Sequence, residues 1–187
     1  MDESTPDSGL LQHLEAHLGA VRKVESARSD AGNRGYDLSF FHRDEPPVST
    51  VVSNGLRFQP VTSMMPQELT CSLWDQQEHV AHYLVDSVAS MVIRNEQGLE
   101  YGSYFKNNGP IVEGTGITAV LAHPSPFHGE SFNLFPDHQS PALQIITLLP
   151  ITDPEVGFVE AEGADGLFEV FRLNRTNILD VRRPSAV

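Results

Sequence analysis

The stretch LQIITLLPITDPEVGFVEAEGADGLFEVF, Leu143 to Phe171, decides how the chain is read. Leu143 to Leu149 is apolar and β-branched over the length of one strand, which marks a buried strand. Pro150 has no N–H, so the ladder is expected to stop there. Thr152 or Asp153 can cap a helix, with Pro154 at its first position and Glu155 in its first turn. After the cap, apolar Val156, Val159, Leu167, Val170 and Phe171 interleave with Asp153, Glu155, Glu160, Glu162, Asp165 and Glu169. The periodicity predicts an amphipathic helical segment, apolar side inward and all six acids outward. Those acids are either a solvated face or a patch that meets a partner.

Upstream, Leu10, Leu11, Leu14 and Leu18 fall at helical spacing, with Ser8 as a cap and Gly19 as a stop. Strands are predicted over 21–28, 36–42 and 48–53, separated by DAGNRG and by RDEPP, with Asn54-Gly55 as a tight turn. A further strand covers 69–74. Asp75 then caps the longest helix, about 76–95, whose inward face carries Val80, Tyr83, Leu84, Ser87, Val88, Met91 and Val92. The glycine-rich segment 101–116 reads as a long loop, and 123–141, rich in aromatics and proline, as a second one. A strand at 117–122 separates them. The order α, several β, α, β, β, α predicts an α+β fold, a mostly antiparallel sheet with helices packed against it in one domain. Residues 1–7 are expected to be disordered, 8–183 to form the domain, and 184–187 to be a C-terminal tail.

Composition narrows the function classes. With 187 residues, 40% hydrophobic and 20% charged, the chain suits one ordinary globular core. No window is apolar and long enough to span a membrane, and the acidic start MDESTPDSG is no secretory signal. The single cysteine, Cys71, excludes an intrachain disulfide framework, which makes the cytoplasm the expected compartment. Net charge is −13, from 12 basic and 25 acidic residues, and no Lys or Arg occurs between Asn107 and Phe171. Nucleic acid is a poor partner for such a chain, because phosphate contacts need clustered bases. A basic protein is a better one, drawn in by long-range steering.

Motifs for catalysis are missing. There is no G-x-S-x-G, P-loop or dinucleotide fingerprint, and no cofactor is expected. Cys71 sits in the apolar run LTCSLW as a small buried thiol. His13 and His17 lie one helical turn apart in HLEAH, which is not the H-E-x-x-H of a zinc protease. His79 and His82 read as surface or boundary positions. His123, His128 and His138 share one loop with Glu130 and Asp137 nearby. If they converged, that loop would make a small hydrolase or metal-dependent enzyme the alternative to binding.

Three stretches carry a family resemblance. Val51-Val52-Ser53-Asn54-Gly55-Leu56 resembles a "T-x-V-S-x-G-L" strand and turn. Asn108-Gly109-Pro110 with Gly114-Thr115-Gly116-Ile117-Thr118-Ala119 resembles a "G-P … G-T" loop before a strand. Leu148-Leu149-Pro150-Ile151-Thr152 with Glu155 resembles a strand-to-helix step. In this order they resemble the Suppressor of fused (SUFU) domain family, over roughly Leu10 to Arg183. The His-rich 123–138 loop departs from the commonest pattern. The resemblance implies a non-enzymatic protein-binding domain of the bacterial single-domain type. It further implies an immunity-type protein that neutralises a cognate toxin by binding it. The six acids from Asp153 to Glu169 are the partner-binding candidates.

Overall fold

The computed structural model describes residues 6–30 and 32–187. Most of the expected disordered tail, residues 1–5, lies outside the described residues. Helix α1 (Pro6–Leu18) begins two residues before Ser8 and ends where Gly19 takes φ 89°. Strand β1 (Val21–Glu25) is shorter than the expected 21–28. The rest of that run enters a two-stranded ribbon, β2 (Arg28–Ser29) with β3 (Gly32–Asn33). The meander follows as β4 (Asp37–Arg43), β5 (Val48–Asn54) and β6 (Gln67–Trp74), paired antiparallel throughout. A 3-10 turn, Asp75–Gln77, leads into α2 (Glu78–Asn95). Neither expected loop is structureless. The first holds β7 (Tyr104–Lys106), and the second holds α3 (Glu130–Asn133) and β9 (Leu134–Phe135). Between them lies β8 (Ile117–His123); β10 (Leu143–Thr152) and α4 (Asp153–Leu173) complete the element order.

The main sheet runs β1-β4-β5-β6-β10-β8-β7, with β9 on β10. Its one parallel contact is β6 with β10, and every other pair is antiparallel. The architecture is therefore the expected α+β type. Alternation along the strands sorts the core. Leu38, Phe40, Val51, Cys71, Leu73, Val120, Ile146 and Leu148 face α2, which buries Val80, Leu84, Val88 and Val92 on them. On the opposite side, Phe41, Val52, Leu143 and Ile145 meet Leu10, Leu14 and Leu18 of α1 and Phe132 of α3. Further along that side Ala119, Leu121, Leu149 and Ile151 meet Val156, Val159, Leu167 and Phe171 of α4. Two of the positions assigned to the inward face of α2 point to solvent: Tyr83 is 53% exposed, and Ser87 is exposed as well.

Pro150 does not stop its strand. β6 pairs with β10 only from Gln144 to Thr147, whereas β8 continues along β10 to Thr152. Beyond Thr147 the β6 side of β10 therefore lacks a strand partner. The Pro150 carbonyl points to that side, where it accepts from Arg183 Nη2 at 3.2 Å. In a ladder a residue's N–H and C=O point the same way, so the missing N–H falls where no strand needs it. The gap is filled by the C-terminal strap, residues 174–187. Trp74 N–H donates to the Leu179 carbonyl, Gln77 holds Asp180 and Val181, and Val181 is buried.

Phe171 is 5% exposed and belongs to the α4 core, with the Arg183 guanidinium 5.0 Å from its ring centre. Phe171→Ala removes that burial and leaves a cavity, and should cost about 3–5 kcal/mol of stability. Denaturant melts of the variant and the parent measure it, and a loss below about 1 kcal/mol would contradict this packing.

Candidate binding face

Thr152 caps α4, and the third helical residue, Glu155, reaches back to accept from the Thr152 N–H at 2.8 Å. This capping box is what the sequence allowed. The rest of the Glu155 environment was not legible. Glu155 is 0% exposed. Arg183 engages both its oxygens, Nη1 to Oε1 at 2.5 Å and Nη2 to Oε2 at 2.8 Å, and Ala186 N–H adds a bond at 2.9 Å. Burial alone would raise the carboxyl pKa, but the Arg183 and backbone donors outweigh it, and the group is held below the usual carboxylate value. Glu155 thus lies away from the exposed face and joins the strap to the sheet. Within the expected tail 184–187, Ser185 bonds Thr152 at 2.9 Å.

The other five acids are exposed. They do not form one continuous stripe, because Gly163 takes φ 82° and breaks α4 into two short helices. Asp153, Glu160 and Asp165 are nevertheless brought to one seam, along β7 and the end of β8. Asp153 pairs with Lys106 Nζ at 2.5 Å, Glu160 accepts from the Tyr104 hydroxyl, and Asp165 lies 3.8 Å from His123 Nε2. Glu162 is on the surface beside the break. Glu169 pairs within its own helix with Arg172, Nε to Oε2 at 2.9 Å. Among the described residues, no Lys or Arg ion pair is made by Glu160, Glu162 or Asp165. The seam also contains an aromatic element that the sequence reading missed. The His123 ring stacks on Phe168, centroids 3.8 Å apart at 12°, and burial lowers its pKa despite Asp165. Lys106 was detectable, since the base-free span begins at the next residue.

The three histidines of the 123–138 loop are not brought together. His123 lies on α4, His128 lies against α1 and Phe132, and His138 is exposed. No group of three His, Cys, Asp or Glu suited to a metal ion occurs among the described residues. A second constellation, His42, Asp75 and Ser49, has the wrong order for a nucleophile. Ser49 Oγ donates to Asp75 at 2.6 Å and His42 Nδ1 lies 2.9 Å from the same oxygen, so the serine hydroxyl hydrogen-bonds the carboxylate and not the imidazole that a nucleophile would need as its base. Cys71 is fully buried, which pushes its thiol pKa up to about 12. No helix among the described residues is long and apolar enough to cross a membrane.

The motif stretches named above resolve into two hydrogen-bonded turns besides the α4 cap. In the first, buried Glu68 accepts from Ser53 Oγ at 2.5 Å, Gly55 N–H at 2.8 Å and Arg57 Nη1 at 2.6 Å. Gly55 has φ 118°, a left-handed backbone that strains any side chain, although a Cβ there would meet its neighbours only at contact distance, 3.4 Å. In the second, Ile111 N–H donates to Ile117 and Thr115 caps Val112, closing the β7–β8 connection.

Comparison with known proteins agrees with that reading. The family model described as Suppressor of fused protein (SUFU) matches residues 32–184. A putative SUFU homolog from Neisseria gonorrhoeae FA 1090 superposes with TM-score 0.69 at 19% identity, covering 96% of this chain and 93% of that one. A chain of the Sufu-Fu complex gives TM-score 0.71 at 13% identity, covering 96% and 91%. Drosophila Suppressor of Fused gives 0.59 at 14% identity, covering 80% of this chain and 42% of that one. At such identities the likeness is one of fold. No curated protein matches the chain by sequence.

The Glu155–Arg183 pair makes a prediction with a sign. A depressed carboxyl pKa contributes stability that is present above the ordinary value, 4.5, and is lost as pH falls below it. Arg183→Ala leaves the carboxylate buried without its cation and should cost about 3–5 kcal/mol near neutral pH. The orphaned carboxyl pKa then rises, so acidification from about pH 7 to 5 should narrow the stability gap between variant and parent, whose other titrating groups are shared. Denaturant melts across that range test it. Parallel pH profiles would show that the pair carries no such weight.

Proposed function

Because the chain belongs to the Suppressor of fused family, we propose that it is a non-enzymatic protein-binding domain. In this reading it is a cytoplasmic, bacterial single-domain member that acts as an immunity-type protein and neutralises a cognate toxin by binding it. The observation that carries the reading is the charge layout. From Asn107 to Phe171 there is no Lys or Arg, and among the described residues Glu160, Glu162 and Asp165 stand on the surface without a Lys or Arg ion pair. Desolvating such acids costs least against a partner that supplies the missing cations. The partner is therefore a basic protein. Tyr104, His123 and Phe168 add a ring-bearing border to the acids, and rings of this kind supply contact area at low entropy cost. Nucleic acid and anionic membrane surfaces would be repelled by the same charge.

Capture from the native host, followed by binding measurements, tests the proposal. Glu160→Lys with Glu162→Lys should change stability by no more than about 0.5 kcal/mol per site, since both side chains are on the surface, and should weaken the partner at least tenfold, about 1.4 kcal/mol. Association should slow as salt rises from about 20 to 150 mM, because screening shortens the reach of the charges to about 8 Å. An acidic partner, or one indifferent to both changes, would sink the reading.

A further inference from the structure

Of the eight histidines, His79 and His138 are exposed, and the other six divide into two environments. His42, His82 and His123 each lie within ion-pair distance of a carboxylate, from Asp44 and Asp75, Glu25, and Asp165 respectively. Among the described residues, no carboxylate lies within that distance of His13, His17 or His128. These three come from α1 and from the loop ahead of α3, and they gather around one buried ring, Phe132. His17 stands edge-on to Phe132 at 5.5 Å and His128 lies 4.8 Å from it. His13 is 5.0 Å from His17, and His17 is 6.3 Å from His128, centroid to centroid. His13 Nε2–H donates to the Phe132 carbonyl at 3.1 Å. His17, His128 and Arg43 also line a cavity of about 10 Å³ over Thr50 and Ser72, with room for no more than one water.

The surrounding charges offer a second proton no welcome. On α1, Glu15 is turned to the Val21 N–H. β1 supplies Arg22, held by Asp75 and Glu78, and Lys23. The end of β4 supplies cationic Arg43, and the turn after it exposed Glu45 and Asp44, which faces His42. On β6, Glu68 is taken by Arg57 and Ser53. α3 supplies exposed Glu130, and the loop after it exposed His138 and Asp137, which caps Gln139 and Ser140. In the strap, Asp180 is bonded to Gln77, and Arg182 is exposed.

We propose that His17 and His128 form an acid-sensitive latch over Phe132: neutral, they close α1 and the loop onto the sheet, and protonated, they repel one another and Arg43 and release α1. Burial, then the neighbouring cations, holds His128 down to about 4, and burial followed by His13 lowers His17. Once α1 lifts, the His17 and His128 imidazoles meet water and take protons near the ordinary 6.5. A base with a depressed folded-state pKa contributes stability above the unfolded value and loses it as pH falls towards the folded one. The window is thus about pH 6.5 down to 4. His128 alone should raise the opening equilibrium about 30-fold between pH 7.5 and 5, and His17 should add to this.

Amide hydrogen exchange on the intact protein, corrected for intrinsic rates, reads the latch directly. In the parent, α1 amides should lose at least 30-fold protection between pH 7.5 and 5. In His17→Gln with His128→Gln, the α1 loss should shrink below threefold. Protection of α1 that ignores pH, or an equal loss in both proteins, overturns the latch. If the double variant does not fold, the imidazole proton titration of the parent decides. A His128 midpoint below about 5.5 supports the proposal, and one at 5.5 or above overturns it.

Discussion

The buried contact between Glu155 and Arg183 is what the β10–α4 half of the molecule depends on. β10 lies between β6 and β8, yet β6 leaves it after four residues. From that point the sheet would expose one side of β10, and the first turn of α4 would present unbonded N–H groups. A single carboxylate solves both problems. It caps the helix through Thr152, and it fixes the arginine whose other N–H groups reach the Pro150 carbonyl. Charge on either partner alone would be costly at this depth, so each exists there because of the other. The strap, the proline in the strand and the helix start are one arrangement.

This explains which parts of the fold could be read from the residues. Strands β4, β5, β6, β8 and β10 and helices α1, α2 and α4 carry strong local patterns, and each appears within a few residues of its expected place. Pro150 misled because its rule concerns a strand paired on both sides, and pairing is not local information. Glu155 misled because an acid in a helical repeat reads as solvent-facing unless its counterion is known, and Arg183 lies beyond the end of the helix. Gly163 was visible as a residue but not as a break. A glycine ends a helix only where the backbone turns left-handed, and tertiary packing decides that. The edge strand β7 was lost in a glycine-rich segment because its three residues are too few for any period to show.

The histidines show a related limit. Their sequence neighbours grouped His123 with His128 and His138, whereas the fold groups His128 with His13 and His17. Segments far apart in the chain cross at Phe132, and neither spacing nor composition reports a crossing. The acidic surface was legible in part for the opposite reason. Net charge and the absence of bases over a long span are bulk properties, so they survive folding. Which acids stand at the seam with Lys106, Tyr104 and His123 is a property of the packed strands.

The parallel pairing of β6 with β10 has a kinetic meaning. It joins strands separated by α2, β7, β8 and both long connections, whereas the β4-β5-β6 meander and the antiparallel β10–β8 pair close over much shorter stretches of chain. Loop-closure entropy must be met before a distant pairing returns any stability, so topologies of this kind assemble slowly. The two local sheets can form early and apart, each with an unpaired inner strand that resembles an aggregation-prone edge. Their meeting creates the central ladder and then draws the strap across the remaining gap. Folding speed therefore rests on the connections that govern how often the halves meet, while resistance to unfolding rests on the last segment to arrive.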